Sequence, residues 1–130
     1  MAKGKGGTVD SQCAAAWSAT EATKDVIFSG SSSGEVVMCQ GGAITKTYPN
    51  CKGSVHSIVM RVDKKDGELA LVGGNDKTLT IYQHAGGELT KLWAVACDAP
   101  PRAVDMFNEN ILIGLKNGSI CEMPYTGNNG

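Results

Sequence analysis

Residues 26–42 read VIFSGSSSGEVVMCQGG, two short apolar runs separated by a turn of serines and glycine. The arrangement returns in residues 70–87 (ALVGGNDKTLTIYQHAGG) and in residues 111–127 (ILIGLKNGSICEMPYTG). Asn, Asp, Ser and Gly adopt the tight-turn conformations that other residues resist. Each copy therefore predicts a β-hairpin of two inner strands, near residues 26–39, 68–82 and 111–123.

The three copies align on Gly30, Gly73 and Gly114, at steps of 43 and 41 residues. A period of about 40–45 residues is typical of a four-stranded propeller blade. A further strand candidate precedes each hairpin (CAAAWS, VHSIVMRV, RAVDMF), and an alternating outer strand follows the first two (AITKTY, ELTKLWAV). The predicted fold class is all-β, a partial β-propeller of about three four-stranded antiparallel blades, the last lacking its outer strand.

The register of the three repeats also predicts how the chain is divided into parts. The predicted parts are a basic, glycine-rich N-terminal segment (1–10), blade 1 (11–53), blade 2 (54–97), an incomplete blade 3 (98–125) and a disordered tail (126–130). The N-terminal phrase GTVDS, residues 7–11, is a candidate outer strand for closing a neighbour. Residues 13–24 also have the composition of a short helix, but their place in the repeat favours a strand and a turn.

Burial between blades is expected for nine strand residues. They are Val26, Ile27, Val36, Leu71, Leu79, Ile81, Leu112, Ile113 and Ile120. Trp17 and Trp93 are predicted to be packing residues.

Composition limits the class of protein. The formal net charge of −1 provides no overall field that would attract nucleic acid or a membrane. No apolar run approaches the roughly 20 residues of a membrane helix, and the start MAKGKGG is not followed by the apolar segment of a secretory signal.

Five cysteines occur, an odd number at wide spacing, with no CxxC pair matched by a histidine pair. Neither a zinc site nor any other metal or cofactor site is expected. Cys13, Cys39 and Cys121 lie in apolar or small-residue runs, which predicts reduced, buried cysteines in a cytoplasmic protein.

The hairpins resemble WD-repeat blades. In LVGGNDKTLTIYQ the glycines and Asp76 are kept, and Tyr82-Gln83 replaces the usual Trp-Asp pair. Ser33 and Asn117 take the Asp place in the other copies. The resemblance implies structural turn roles for six residues: Gly30, Ser33, Gly73, Asp76, Gly114 and Asn117.

Two longer phrases, SGSSSGEVVMCQGGAITKTYPNCKGSVHSIVM and PRAVDMFNENILIGLKNGSICEM, resemble propellers of the echinoderm microtubule-associated protein-like family. The resemblance covers roughly residues 11–125. It implies a scaffold that binds tubulin or microtubules without enzymatic activity, in a cytoskeletal or ciliary location.

The two histidines, His56 and His84, are the candidate catalytic bases. A Cys-His nucleophile would pair Cys51 with His56, with Asp76 as the acid. The favoured interpretation is that His56 hydrogen-bonds a neighbouring turn, that Asp76 bonds backbone N–H groups of its turn, and that His84 is exposed in the turn QHAGG.

Arg61, Lys64 and Lys65 form a basic turn that is usually only a solvated tip. In a microtubule-binding protein the same turn is a candidate protein-binding site for the acidic tails of tubulin. Three functions compete: a protein-interaction module, a nucleic-acid-binding module, and a thiol enzyme that uses Cys51 and His56. Because three blades cannot close a ring, the chain is expected to belong to a longer propeller or to form a homodimer, with a trimer less favoured.

Overall fold

The computed structural model describes residues 12–19 and 25–125, and within them all regular structure is β-strand. The strands form three separate antiparallel sheets, of four, four and three strands. The first sheet contains β1 (Gln12–Trp17), β2 (Val26–Ser31), β3 (Glu35–Gln40) and β4 (Ala43–Pro49). The second contains β5 (Val55–Asp63), β6 (Gly67–Gly74), β7 (Thr78–Ala85) and β8 (Glu88–Ala96). The third contains β9 (Pro101–Phe107), β10 (Asn110–Leu115) and β11 (Ile120–Pro124).

Each sheet is a meander in which consecutive strands are neighbours. The predicted fold class is confirmed: the sheets follow the repeat, and the third has no outer strand among the described residues. The three sheets do not close into a ring. The segment 13–17 is strand and not helix. The proposed closing phrase, residues 7–11, and the predicted tail, residues 126–130, lie outside the described residues.

The sheets repeat one another down to their irregularities. In each sheet the pairing between the first and second strands has a register shift at the aligned glycine. The shift lies between Gln12 and Ala14 in the first sheet and between Val55 and Ser57 in the second. In the third sheet it lies opposite Gly114 and Leu115. A β-bulge bends a strand and increases its twist, so the same bend recurs in every sheet.

Two apolar layers hold the three sheets together. We call the side of a sheet that faces the next sheet along the chain its forward face, and the other side its backward face. One layer joins the forward face of the first sheet to the backward face of the second, and includes Val26, Phe28, Val36, Met38, Val55, Ile58, Met60, Ala70, Val72, Tyr82 and Leu89. The other joins the second sheet to the third in the same way, and includes Leu69, Leu71, Leu79, Ile81, Trp93, Val104, Met106, Ile111, Ile113, Leu115 and Tyr125.

The aligned glycines explain how closely the sheets approach. A Cβ atom added to Gly30 would lie 2.3 Å from Cγ1 of Val55 in the next sheet. A Cβ atom on Gly73 would lie 2.6 Å from the carbonyl oxygen of Pro101 in the sheet after that. Glycine is required at both positions because the first strand of the following sheet passes directly over it.

Six of the nine residues expected in the core are buried, but Ile27 is only half-buried, and Leu112 and Ile120 are exposed. All three lie on sheet faces that are not covered by another of the three described sheets. Trp17 is also exposed, contrary to expectation, on the same face as Ile27.

The burial expected of the cysteines was also wrong. Cys13 and Cys121 are exposed and Cys39 is half-buried, and no disulfide joins any of the five cysteines. Cys13 lies on the first strand of the first sheet. Cys121 lies on the edge strand of the third sheet and pairs with the buried Ile113, so it is on the side that faces the second sheet.

Candidate interaction surfaces

The predicted basic turn is divided between a strand and a loop. Arg61 lies within β5, and its guanidinium binds the Asp105 carboxylate of the third sheet through Nη2 (2.7 Å) and Nε (2.9 Å). Lys64 and Lys65 lie in the turn that follows and are exposed. The Asp63 carboxylate shapes this turn by accepting the N–H groups of Lys65 and Asp66 at 2.9 and 2.8 Å. The two lysines are therefore presented to solvent, whereas the charge of Arg61 is matched within the fold.

The residues assigned to structural turns lie in different surroundings. Gly30 and Gly73 are covered by the next sheet, whereas Gly114 is not. Ser33 hydrogen-bonds the Ser31 hydroxyl at 3.0 Å, and Asn117 accepts the Ser119 N–H at 3.0 Å.

Asp76 lies in the β6–β7 turn. Among the hydrogen bonds of the described residues, its carboxylate accepts none from a backbone N–H. Asp63 in the preceding turn has the role that was expected of Asp76.

The proposed nucleophile pair is not assembled. His56 Nε2 is 3.0 Å from the Asn75 Oδ1 atom in the β6–β7 turn. The Cys51 thiol donates to backbone carbonyl oxygens of Gly53 (3.4 Å) and Ser54 (3.8 Å). Burial raises the pKa of the Cys51 thiol, which opposes the thiolate that a nucleophile requires. The geometry gives Cys51 a packing role.

His84, expected in an exposed turn, is instead buried within β7. Its Nδ1 atom lies 2.8 Å from Oε1 of Glu68, which is directly opposite in β6, and both side chains are 3% exposed. The edge of the Phe28 ring meets the His84 ring at a centroid distance of 5.0 Å. The Ser18 hydroxyl donates to Glu68 at 2.8 Å, so the carboxylate ties the first sheet to the second.

A carboxylate, an imidazole and a hydroxyl are groups used in general acid–base catalysis, but substrate access is needed for that role. The burial of Glu68 and His84 makes this cluster a structural junction. The register of the β6–β7 hairpin could have indicated this pair. Leu69 pairs with Gln83, so the neighbouring residues Glu68 and His84 must lie opposite each other.

The forward face of the third sheet exposes large apolar side chains. Phe107 is 76% exposed, Leu112 50% and Ile120 74%. Next to them lies a shallow depression, lined by Asp105, Met106, Phe107, Asn108, Asn110, Leu112 and Glu122. We call this surface the forward end face.

The backward face of the first sheet is also open, and we call it the backward end face. Trp17 is 66% and Ile44 57% exposed there, beside the half-buried Ile27 and Cys39. Trp17 pairs with Ile27, and Cys39 pairs with both Ile27 and Ile44, which places the four on one side of the sheet. Both ends of the stack thus carry apolar groups of the type that fills the layers between sheets.

Other kinds of site receive no support from the described part of the chain. No group of three or more His, Cys, Asp or Glu residues is positioned there to hold a metal ion. Within residues 12–19 and 25–125, no helix is long and apolar enough to cross a membrane.

Comparisons with known proteins identify the fold and nothing finer. No protein-family model and no curated protein matches the chain. A crystal structure of BBS1N in complex with ARL6DN, whose BBS1N chain is a β-propeller, resembles it with a TM-score of 0.66 at 19% sequence identity. The match covers 89% of this chain but 35% of that one, so this chain spans about a third of the propeller protein that it resembles.

Proposed function

We propose that this protein is a non-enzymatic interaction module, a run of propeller blades whose end faces and loops bind other proteins. The observation that carries the proposal is the exposure of Trp17, Phe107, Leu112 and Ile120 on two sheet faces. Large apolar groups gathered on one exposed surface mark interaction sites in soluble proteins. The propeller-type fold supports a binding role in general, since such folds present variable loops on a rigid frame.

We further propose microtubules or tubulin as the partner and the cytoplasm as the location. The support is the sequence resemblance described above, together with the exposed Lys64 and Lys65 at the tip of the β5–β6 turn. Attraction between such lysines and acidic protein tails is screened by salt, over about 10 Å at 0.1 M ionic strength. Arg61 is not part of this surface, because Asp105 holds it.

Co-sedimentation with polymerised tubulin tests this partner. We expect the wild-type chain to pellet with microtubules at low salt and to be released as salt is added. The double variant Lys64→Glu/Lys65→Glu is expected to stay in the supernatant. The matched control is Lys52→Glu/Lys116→Glu, which makes the same charge change at two exposed positions in other turns.

Two results would contradict the microtubule proposal: no pelleting of the wild-type chain at low salt, or equal loss of pelleting in both double variants. Filter binding to RNA and DNA over the same salt range covers the nucleic-acid alternative. Steep salt-dependent retention there would make that alternative the better one.

The assembly that we propose is a homodimer. Closed propellers contain about four to eight blades, and two copies of a three-sheet chain supply six. In such a dimer, residues 7–11 are proposed as the outer strand that completes the third sheet of the other copy. A longer propeller and a trimer are the competing assemblies, and the mass of the purified chain in solution distinguishes them from a dimer.

A further inference from the structure

We infer that the forward end face docks against the backward end face of a second copy of this chain, so that the first strand of one copy passes over Gly114 of the other. This inference rests on the proposed function and names the two surfaces that the homodimer uses. The junction reproduces the packing by which the three sheets of one chain already stack.

The three aligned glycines differ in what lies over them. Gly30 and Gly73 each lie under the first strand of the following sheet, and a Cβ atom at either would collide with that strand. Gly114 occupies the same register, but among the residues that the structure describes a Cβ atom there would meet only Ala103 of its own sheet, at an ordinary distance of 3.6 Å. Packing within the chain therefore does not require glycine at this position, whereas a strand laid over it would.

The apolar positions around Gly114 also match those of the two covered sheets. Two residues before the aligned glycine stand Phe28, Leu71 and Leu112, and the first two are fully buried. Directly opposite the glycine stand Val36, Leu79 and Ile120, and again the first two are fully buried. The forward end face thus has the apolar side chains of a covered sheet, but no sheet among the described residues packs on it.

The backward end face supplies a matching cover. Trp17 pairs with Ile27, three residues before the aligned glycine, as Met60 pairs with Ala70 and Met106 with Ile111. Met60 and Met106 are buried at the two internal junctions, while Trp17 is exposed. A second copy is therefore expected to bury Trp17 where the internal junctions bury methionine.

Each copy has one forward and one backward end face, so two copies that bind head to tail at both ends form a closed ring. The resulting pair has two identical junctions and six sheets, within the range of closed propellers. Head-to-tail contacts form rings when the rotation closes and open filaments when it does not. A closed pair predicts an assembly that stops at two chains.

The test substitutes Gly114→Val. The valine fits the isolated chain, since its Cβ atom has only ordinary contacts, but it blocks a strand laid on top. We expect the dissociation constant of the dimer to rise about tenfold or more, with thermal stability of the dilute monomer unchanged. Ala94→Val, at an exposed position in the second sheet, is the matched control and should leave the dimer intact.

Quenching of tryptophan fluorescence is a second measurement, which reports on the backward end face. Trp93 is buried, so the quencher-accessible fluorescence comes from Trp17. We expect acrylamide quenching of Trp17 to fall as the wild-type protein is concentrated, and not to fall in Gly114→Val. Gly114 and Trp17 lie in different sheets at opposite ends, so only head-to-tail association connects them.

The outcomes separate this inference from the proposed function. A wild-type chain that remains monomeric, a mass that grows without limit on concentration, or a Gly114→Val dimer as tight as wild type would each overturn the inference. Pelleting of Gly114→Val with microtubules is measured in parallel. Retained pelleting with a lost dimer supports both proposals, whereas a wild-type dimer that fails to pellet at low salt overturns the microtubule proposal alone.

Discussion

Leu71 and Leu112 occupy the same place in successive sheets, two residues before the aligned glycine, yet Leu71 is fully buried and Leu112 is half-exposed. Their backbones have the same hydrogen-bonding register. The difference arises because the third sheet covers Leu71, whereas no sheet formed by residues 12–19 and 25–125 covers Leu112. Position in the repeat determines the residue type, and position in the stack determines its burial.

This pair gives a direct prediction of stability. Leu71→Ala should lower the free energy of unfolding by about 2–5 kcal/mol, because it leaves a cavity between two sheets. Leu112→Ala should change it by no more than about 0.5 kcal/mol in dilute monomer, as for an ordinary surface substitution. Urea unfolding at low protein concentration measures both. Equal losses for the two variants would show that the third sheet is covered within a single chain.

The buried junction between the first two sheets gives a second prediction. Glu68→Ala leaves His84 and Ser18 without the carboxylate that they share, and should cost about 1–3 kcal/mol for each buried donor that is left unsatisfied. The control is Glu35→Ala, which removes an exposed carboxylate and should cost about 0.5 kcal/mol or less. Thermal unfolding of the two variants makes the comparison. A Glu68→Ala protein as stable as Glu35→Ala would mean that the junction does not hold the sheets together.

The buried phenol of Tyr82 makes stability depend on alkaline pH. Burial raises its pKa to about 12, with a smaller contribution from Cys51, and its hydroxyl donates to Asn50 at 2.6 Å. An unfolded tyrosine has a pKa of about 10, so the folded state holds this proton more tightly. The resulting stability is fully present below about pH 10 and is lost as the pH rises through about 12.

Denaturant titrations from about pH 9 upward measure this dependence, with Tyr82→Phe as the control. The variant should lose part of the alkaline decline and keep the part that arises from Tyr125, whose pKa is also raised by burial. If both proteins decline by the same amount, the account of Tyr82 is wrong.

Thiol labelling separates the interaction module from a thiol enzyme. Cys13 and Cys121 are exposed, whereas burial raises the pKa of Cys51. A maleimide at neutral pH should therefore modify Cys13 and Cys121 well before Cys51, and Cys51 labelling should accelerate only as the pH approaches its raised pKa. Peptide mapping by mass spectrometry identifies the order. Preferential labelling of Cys51 at neutral pH would restore the enzyme hypothesis.

The sequence carried enough information to predict the strands and their order, because the turn residues and the aligned glycines repeat in register. It did not predict burial at the ends of the stack. Ile120 and Leu79 have the same apolar character and the same register, and only the presence of a neighbouring sheet distinguishes them. Cys121 is exposed although it shares the covered face with Ile113, because it lies on the edge strand β11, which has no outer neighbour among the described residues.

The junction of Glu68 and His84 was missed for a different reason. The glycines after His84 suggested that β7 ended at Tyr82, but the strand continues to Ala85 because the hairpin ladder pairs His84 with Glu68. Arg61 was grouped with the basic turn although the strand candidate VHSIVMRV contains it, and its ion pair with Asp105 of the third sheet was not predicted. Contacts between sheets were not apparent from any single repeat.

The most direct test of whether both end faces bind protein surfaces is the mass of the purified 130-residue chain over a range of micromolar concentrations. Light scattering coupled to gel filtration makes the measurement. The account predicts a particle of twice the 13.5 kDa chain mass, which dissociates on dilution into monomers with accessible Trp17. A cooperatively folded monomer throughout this range, with the forward end face bare, would contradict it.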